Sequence, residues 1–408
     1  MTEAARLSLP IERLSGSRVI TGVSAAHFVS HYYLLLLPPL FGFVRAEYAL
    51  SYTELALALT AFNVTSAALQ APTGFLVDWL GARTVLILGL LLGAAAIAVA
   101  GIVHSYWVLV LMFGVAGVAN TAYHPADYAI LSHQVSSARM GYAFSIHTFA
   151  GFLGSAVAPV TLLFMQSVIG WRGAFIGAAI LGFAVGLLLL VQGGGSLSDR
   201  PVPSEDDAAG RQEKESRADW ALLLSAPIIR NLIFFTLLSV TSVGIQFYSV
   251  AALGALFGTS PAVGNTGLTA YLLLGAVGIL LGGVLATRVP RHAFIAVIGL
   301  VVSSAATLLI GLVDLGAFLF VLVMSVGGLF SGILLPSRDL IVREVTPPGS
   351  FGRVFGFVTM GFNIGGVFSP VIFAALIDHD APRAVFLLTA ACGLLSILTI
   401  VRRPLRSD

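Results

Sequence analysis

Tyr123-His124-Pro125-Ala126-Asp127 and Leu335-Pro336-Ser337-Arg338-Asp339 open two stretches that run in step at a fixed offset of 211 residues. Pro125 matches Pro336, Gly141 matches Gly352 and Phe144 matches Phe355. Gly154 then matches Gly365, Pro159 matches Pro370, Arg172 matches Arg383 and Phe175 matches Phe386, with no gap. A repeat of about 200 residues is far longer than a solenoid unit. In a strongly apolar chain it marks two membrane bundles of like orientation, one per half.

Composition points the same way. A soluble domain carries about 25% charged residues; this chain carries 10%, with 58% hydrophobic residues and a mean hydropathy of +0.98. The single cysteine, Cys392, lies in an apolar stretch, which excludes an intramolecular disulfide and a thiolate metal cluster. The first 17 residues are polar, and the apolar run after them holds two histidines and flows into a double proline, so no cleavable signal is expected. Ser/His/Asp order and zinc-protease motifs are missing, and Gly193-Gly194-Gly195 is not followed by Gly-Lys-Ser/Thr. An enzyme or an ATP-driven pump is therefore not expected, nor is a cofactor, a resident metal or a nucleic-acid partner.

A helix needs about 20 residues to cross roughly 30 Å of hydrocarbon. Cutting at charges, Gly/Pro clusters and polar turns predicts spans over 18–44, 52–78, 84–104, 106–133, 139–166 and 171–192. The second set is 228–257, 265–288, 292–313, 316–344, 352–377 and 383–401. The runs are too long for membrane strands and lack two-residue alternation. The expected fold is an all-α membrane protein with twelve transmembrane helices in two pseudo-symmetric six-helix bundles. With the N-terminus inside, the outer loops hold Arg45, Arg172 and Arg383 only, while the inner side takes Arg18, Arg83, Arg139, Arg288, Arg291 and Arg353 with the basic ends of the chain. That positive-inside bias predicts a multi-pass protein of a bacterial cytoplasmic membrane with both termini cytoplasmic. Residues 193–219 are densely charged after their glycines and cannot bury a core, so they read as a flexible tether. The expected domains are 1–192, a cytoplasmic linker at 193–222, and 223–408.

Polarity differs between spans. Spans 3, 6, 9 and 12 carry little beyond Gly, Ser, Thr and aliphatics and are expected to face lipid. Spans 1, 4 and 10 carry His27, His31, Asn120, His124, Asp127, Arg338 and Asp339, and span 7 adds Gln246 and Tyr248. An ionisable group at the bilayer centre costs about 2.5–3.5 kcal/mol even on the lenient scale, so these groups predict a wet cavity lined by spans 1, 4, 7 and 10. Gly151, Gly154 and Pro159 in span 5, with Gly361, Gly365, Gly366 and Pro370 in span 11, predict close, bent helix contacts between the halves.

Between spans 2 and 3 the chain reads Gly74-Phe75-Leu76-Val77-Asp78-Trp79-Leu80-Gly81-Ala82-Arg83. This resembles the signature loop of the major facilitator superfamily, a resemblance that extends over the whole chain through the span number, the long central loop and the two-half repeat. It implies a gating role for Gly74, Asp78, Gly81 and Arg83, with Asp78 stabilising the outward-facing state and Arg83 as its basic partner. Trp79 and Ala82 depart from the pattern, where basic residues are common, so the charge network is thinner. A narrower similarity is to the fosmidomycin-resistance branch of drug exporters, through His27-Phe28 and through His124-Pro125 followed by Asp127; His31 stands where that branch has an acid.

Depth arithmetic groups the histidines. His27 lies nine residues beyond Arg18, His124 nine before His133, and His147 eight beyond Arg139. At about 1.5 Å per residue all three sit about 12–14 Å from the cytoplasmic ends of spans 1, 4 and 5. Asp127 is one turn from His124, and His31 one turn from His27. Such a cluster fits a proton site, a substrate or metal site with His27 and His31 spaced as paired ligands, or interhelical hydrogen bonds. Arg338 and Asp339 stand at the repeat positions of Asp127 and Tyr128. Arg338 suits an anionic group or a local pair with Asp339 or Glu344.

These readings converge on a secondary transporter that moves a small-molecule substrate through a lipid bilayer by alternating access, functional as a monomer. Proton-coupled export by antiport is the first expectation. Proton-coupled uptake of a small organic acid or metal chelate is the alternative, and a transporter-like membrane sensor or assembly factor is a third.

Overall fold

The computed structural model describes residues 3–192, 222–289, 291–347 and 351–400, which are helical apart from short turns and connections. The tether at 193–219 lies outside the described residues. In the first half α1 (Glu3–Leu34) passes through a 3-10 turn (Pro38–Leu40) into α2 (Phe41–Tyr48). Then come α3 (Tyr52–Leu80), α4 (Ala82–Ile102), α5 (Tyr106–Asn120), α6 (Tyr123–Gln134) and α7 (Ser137–Val191). The second half has α8 (Ala226–Val243), a π-helical turn (Gly244–Tyr248) and α9 (Ser249–Phe257). It continues with α10 (Pro261–Arg288), α11 (His292–Leu312), α12 (Gly316–Glu344), α13 (Phe351–Asp378) and α14 (Pro382–Ile400).

Ten helical stretches among the described residues are long and apolar enough to cross a membrane. One of them, Tyr142–Val191, is 50 residues long, about 75 Å at 1.5 Å per residue and more than twice the hydrocarbon thickness. Gly170, at φ 74 and ψ 167, breaks it into the two spans the sequence predicts there. α3 supplies the remaining span. Helix starts follow local chemistry: Ser105 accepts the Val108 N–H and Ser260 the Val263 N–H, each at 3.4 Å.

The chain divides into two units, Met1–Leu50 with Leu57–Pro201, and Ser51–Ala56 with Val202–Asp408. The short segment at the start of α3 groups with the second unit because the Asp378 carboxylate accepts the backbone N–H groups of Tyr52 at 2.9 Å and Thr53 at 2.7 Å. The expected division at the tether places that segment in the first domain.

The repeat is expressed as packing. In the first unit α1 packs on α7 and α4 on α7, while a Cβ at Gly117 of α5 would meet the Phe62 carbonyl of α3. The second unit repeats the scheme, with α8 on α13, α11 on α14 and α10 on α12. A Cβ at Gly154 would strike the Phe28 carbonyl, and one at Gly365 would strike Ser239, which is Phe28 plus the same 211. The glycines of spans 5 and 11 thus serve contacts inside each unit: Gly151 and Gly154 face α1, and Gly361 and Gly365 face α8. That corrects the expectation that they join the halves. The approach of α10 to α12 uses the same device, since a Cβ at Gly278 would meet the Leu329 carbonyl and one at Gly332 the Gly275 carbonyl.

The lipid-facing expectation holds for one face only of α11. Val301, Leu309 and Leu312 are exposed, whereas Ser303, Ser304 and Thr307 on the opposite side are buried. Span 9 is two-faced because hydroxyls scarcely lower hydropathy, yet they still need polar neighbours.

Candidate functional site

α1, α6 and α7 bring four imidazoles and one carboxylate together inside the first unit. His27 stacks on His147 with ring centroids 3.8 Å apart and planes 13° from parallel. Its Nδ1 lies 2.8 Å from the His147 carbonyl oxygen, so Nδ1 carries the proton and Nε2 is left as the acceptor. His31 meets His27 edge-on at 4.6 Å and bonds Ser155 Oγ through Nδ1 at 3.2 Å. His124 is 5.5 Å from His27, ring to ring. Gly151 makes the room, because a Cβ there would come within 2.6 Å of His27 Cε1 and 3.0 Å of His31 Cδ2.

The carboxylate's neighbour is not the one the spacing suggests. Asp127 is fully buried and its Oδ2 lies 3.7 Å from His147 Nε2, while His124, one turn away, is exposed. Residues three apart on a helix differ by about 60° in direction; that angle turns Asp127 toward α7 and His124 toward open space. Both Asp127 oxygens, both His147 nitrogens, His27 Nε2 and the Tyr123 hydroxyl are buried without a hydrogen-bond partner among the described residues. Each such group costs about 1–3 kcal/mol. Folded proteins seldom leave several such groups unpaired in one place. Among the described residues no three His, Cys, Asp or Glu side chains are grouped to hold a metal ion. The Nδ1 atoms of His27 and His31 are already engaged, with the His147 carbonyl and the Ser155 hydroxyl.

In the second unit Arg338 bonds Asp339 through Nε at 2.8 Å, which is the local pair the sequence allows. Its guanidinium carbon lies 4.8 Å from the Phe235 ring centroid and 5.4 Å from that of Phe362. It borders a cavity of about 50 Å³ that also takes in Ser242, Tyr271, Ser303, Ser304 and Ser331. Gln246 and Tyr248 do not line that cavity. They sit on the π-helical turn, Gln246 half-buried and Tyr248 buried with its ring 5.9 Å from Phe373. π-turns recur at functional positions, and no periodicity in the sequence announces this one.

The signature segment is helical through Leu80, and the reversal is made by Gly81 alone, at φ 86. Gly74 has open space around its Cα, and the Asp78 side chain lies outside what the structure describes. Arg83 donates to the Leu189 and Leu190 carbonyls at the end of α7, where a cation complements a helix C-terminus.

A twelve-span fold of two repeated bundles, with ionisable groups held inside it, is that of a secondary transporter. The sequence model of the Major Facilitator Superfamily matches residues 23–254 and 232–407, and the chain belongs to that family. It is similar to the probable sulfoacetate transporter SauU of Cupriavidus necator, 27% identical over 82% of this chain and 81% of that protein. It is also similar to the probable L-galactonate transporter of Escherichia coli, at 25% over 89% and 84%, and to the fosmidomycin resistance protein of Escherichia coli, at 23% over 94% and 92%. Among solved structures it superposes on the nucleoside transporter NupG with a TM-score of 0.73 at 15% identity, over 94% of this chain and 98% of that one. It is a multi-pass membrane transport protein and not an enzyme.

Proposed function

We propose that the chain is a proton-coupled secondary transporter that exports a small organic molecule across the cytoplasmic membrane by antiport, working as a monomer with both termini cytoplasmic. The observation that carries this reading is the buried Asp127–His147 pair without hydrogen bonds. A bare carboxylate in a dry site is expensive. One proton on the pair removes that cost, as a neutral acid beside a neutral imidazole or as an ion pair. Loss of the proton restores it unless water or a cationic group enters. Protonation therefore changes the relative stability of closed and open forms, which is what coupling to alternating access requires. Exposed His124 and buried His27 form a chain of rings from the accessible edge to that pair. Export is supported by the similarity to the fosmidomycin resistance protein and to the multi-drug efflux pump PmrA of Streptococcus pneumoniae.

A second reading, proton-coupled uptake of an organic acid, is favoured by Arg338 and by the sulfoacetate and L-galactonate transporters among the relatives. The test is internal pH in proteoliposomes challenged with antibiotics, organic acids, amino acids and divalent metals, wild type beside His124→Ala. Compound-dependent proton flux in wild type only is the expected result, and its sign separates export from uptake. Silence across the panel by folded protein overturns the proton-coupled reading.

A further inference from the structure

The cavity beside Arg338 is the repeat counterpart of the histidine cluster. At the offset of 211, His27 corresponds to Leu238, His31 to Ser242, His124 to Leu335, Asp127 to Arg338 and Gly151 to Phe362. All five of the second-half residues line that one cavity. The helix contacts fix the register independently, because Gly154 against Phe28 and Gly365 against Ser239 are the same pair displaced by that offset. One place in the fold is thus built twice, with its charge reversed: histidines and a carboxylate in the first unit, a guanidinium among apolar walls and hydroxyls in the second.

We infer that this second-unit cavity is an oxyanion subsite, taking the carboxylate or sulfonate head group of a small organic acid. The inference rests on the transport reading above and names a substrate class for it. Arg338 is largely buried, at 15% side-chain exposure, and Nε is its one guanidinium nitrogen with a hydrogen-bond partner among the described residues. Two nitrogens are left to donate, and a guanidinium fork matches a planar or tetrahedral oxyanion. The Ser304 hydroxyl and Tyr271, which lies within reach of the Ser303 and Ser331 hydroxyls, supply further donors. Phe235 and Phe362 lie in cation–π contact with the guanidinium. A cavity of about 50 Å³ is several times the ~10–15 Å³ that one water needs and admits a head group, not a whole solute. Asp339 already shows that a carboxylate fits Arg338; its side chain is 45% exposed, so it can swing off into water when a stronger or better-placed anion arrives.

The Asp339 pair makes the test specific. Full-length protein in detergent, with no gradient present, is titrated by calorimetry with sulfoacetate and L-galactonate, using D-galactose as the uncharged control. Wild type is expected to bind at least one acid saturably at millimolar concentration and not the sugar. Arg338→Gln should weaken that binding by about tenfold or more, the loss of charge-assisted bonds, with Arg338→Lys in between. Asp339→Asn should tighten it several-fold by releasing Arg338, and Arg230→Gln, on an exposed face of α8, should change nothing. Thermal melts establish that each variant is folded. Binding by Arg338→Gln equal to wild type, weakening by Asp339→Asn equal to that by Arg338→Gln, or no saturable binding of either acid to wild type overturns the subsite. Because no proton gradient enters the measurement, failure here leaves proton coupling standing, and failure of proton coupling leaves this binding intact.

Discussion

Asp127→Asn separates coupling from permeation more cleanly than any other change. The carboxylate is fully buried and accepts no hydrogen bond, so the amide forfeits none and keeps the side chain's shape. Its amide N–H can reach toward His147 Nε2, which lies 3.7 Å from the present oxygen. Folding should survive. What is lost is the proton. On the proton-antiport reading proposed above, with the Asp127–His147 pair carrying one proton per cycle, the expected ratio can be worked out. Each unit of ΔpH then supplies about 1.36 kcal/mol per proton, a tenfold concentration ratio of substrate at equilibrium. Wild-type proteoliposomes with one unit of ΔpH should therefore approach a tenfold gradient, and Asp127→Asn should stop at equality. Counterflow of labelled against unlabelled substrate without ΔpH should run at near wild-type rates in both. A tenfold gradient in the variant refutes the assignment of the proton to this pair. Equal loss of counterflow and of driven transport places Asp127 in substrate binding or in the packing.

Four further outcomes are expected. Gly154→Ala presses a methyl onto the Phe28 carbonyl and should lower the melting temperature through about 1–3 kcal/mol of overpacking. The nearest atoms a methyl at Gly151→Ala meets are ring atoms of His27 and His31, at 2.6–3.0 Å. That variant should melt near wild type yet lose most driven transport, because a shift of about 1 Å carries His27 Nδ1 beyond hydrogen-bond range of the His147 carbonyl. Asp378→Ala removes the acceptor for the Tyr52 and Thr53 N–H groups and should cost about 1 kcal/mol in a thermal melt, as lost helix caps do. A flexible linker of equal length in place of residues 193–219 should leave transport in proteoliposomes unchanged; abolished transport with substrate binding intact favours the sensor or assembly reading.

Spans and repeat were legible because the bilayer imposes a length and because matched Pro, Gly and Phe positions survive at one offset. Depth along a helix was legible too, since 1.5 Å per residue turns sequence distance into height, and that is why His27, His124 and His147 are found at one level. Direction around the helix was not. The sequence places Asp127 beside His124, but about 60° of rotation between them sends one inward to His147 and the other outward. Partner identity is hidden for the same reason: glycine stripes announce a close neighbour without naming it, so Gly154 and Gly365 were read as joining the halves when they seat α1 and α8. The hydroxyls of Ser303 and Ser304 were lost among aliphatics because hydropathy averages over the two faces of α11. The π-turn at Gly244–Tyr248 depends on how the chain closes its hydrogen bonds, which no residue type specifies.

If the carboxylate–imidazole pair and the Arg338 cavity serve one transport cycle, they cannot be thermodynamically independent. Linkage is reciprocal: a proton that changes anion affinity by some factor is itself bound more or less tightly by that factor when the anion is present. The sign of that linkage decides direction. In a symporter the proton and the anion favour the same loaded form, so affinity for sulfoacetate or L-galactonate should rise as pH falls. In an antiporter they exclude one another, so affinity should fall as pH falls. One linked proton limits the slope to tenfold per pH unit. Between pH 6 and 8 both acids stay ionised, their carboxyl groups titrating near pH 4 or below, so the dependence reports the protein and not the ligand. Calorimetric titration of the acid that binds, in steps across that range, gives the slope directly. Asp127→Asn should flatten it while Asp339→Asn should shift the whole curve and keep the slope. A flat profile in wild type, with anion binding intact, dissociates the two sites and leaves the Arg338 cavity as a binding site outside the proton cycle.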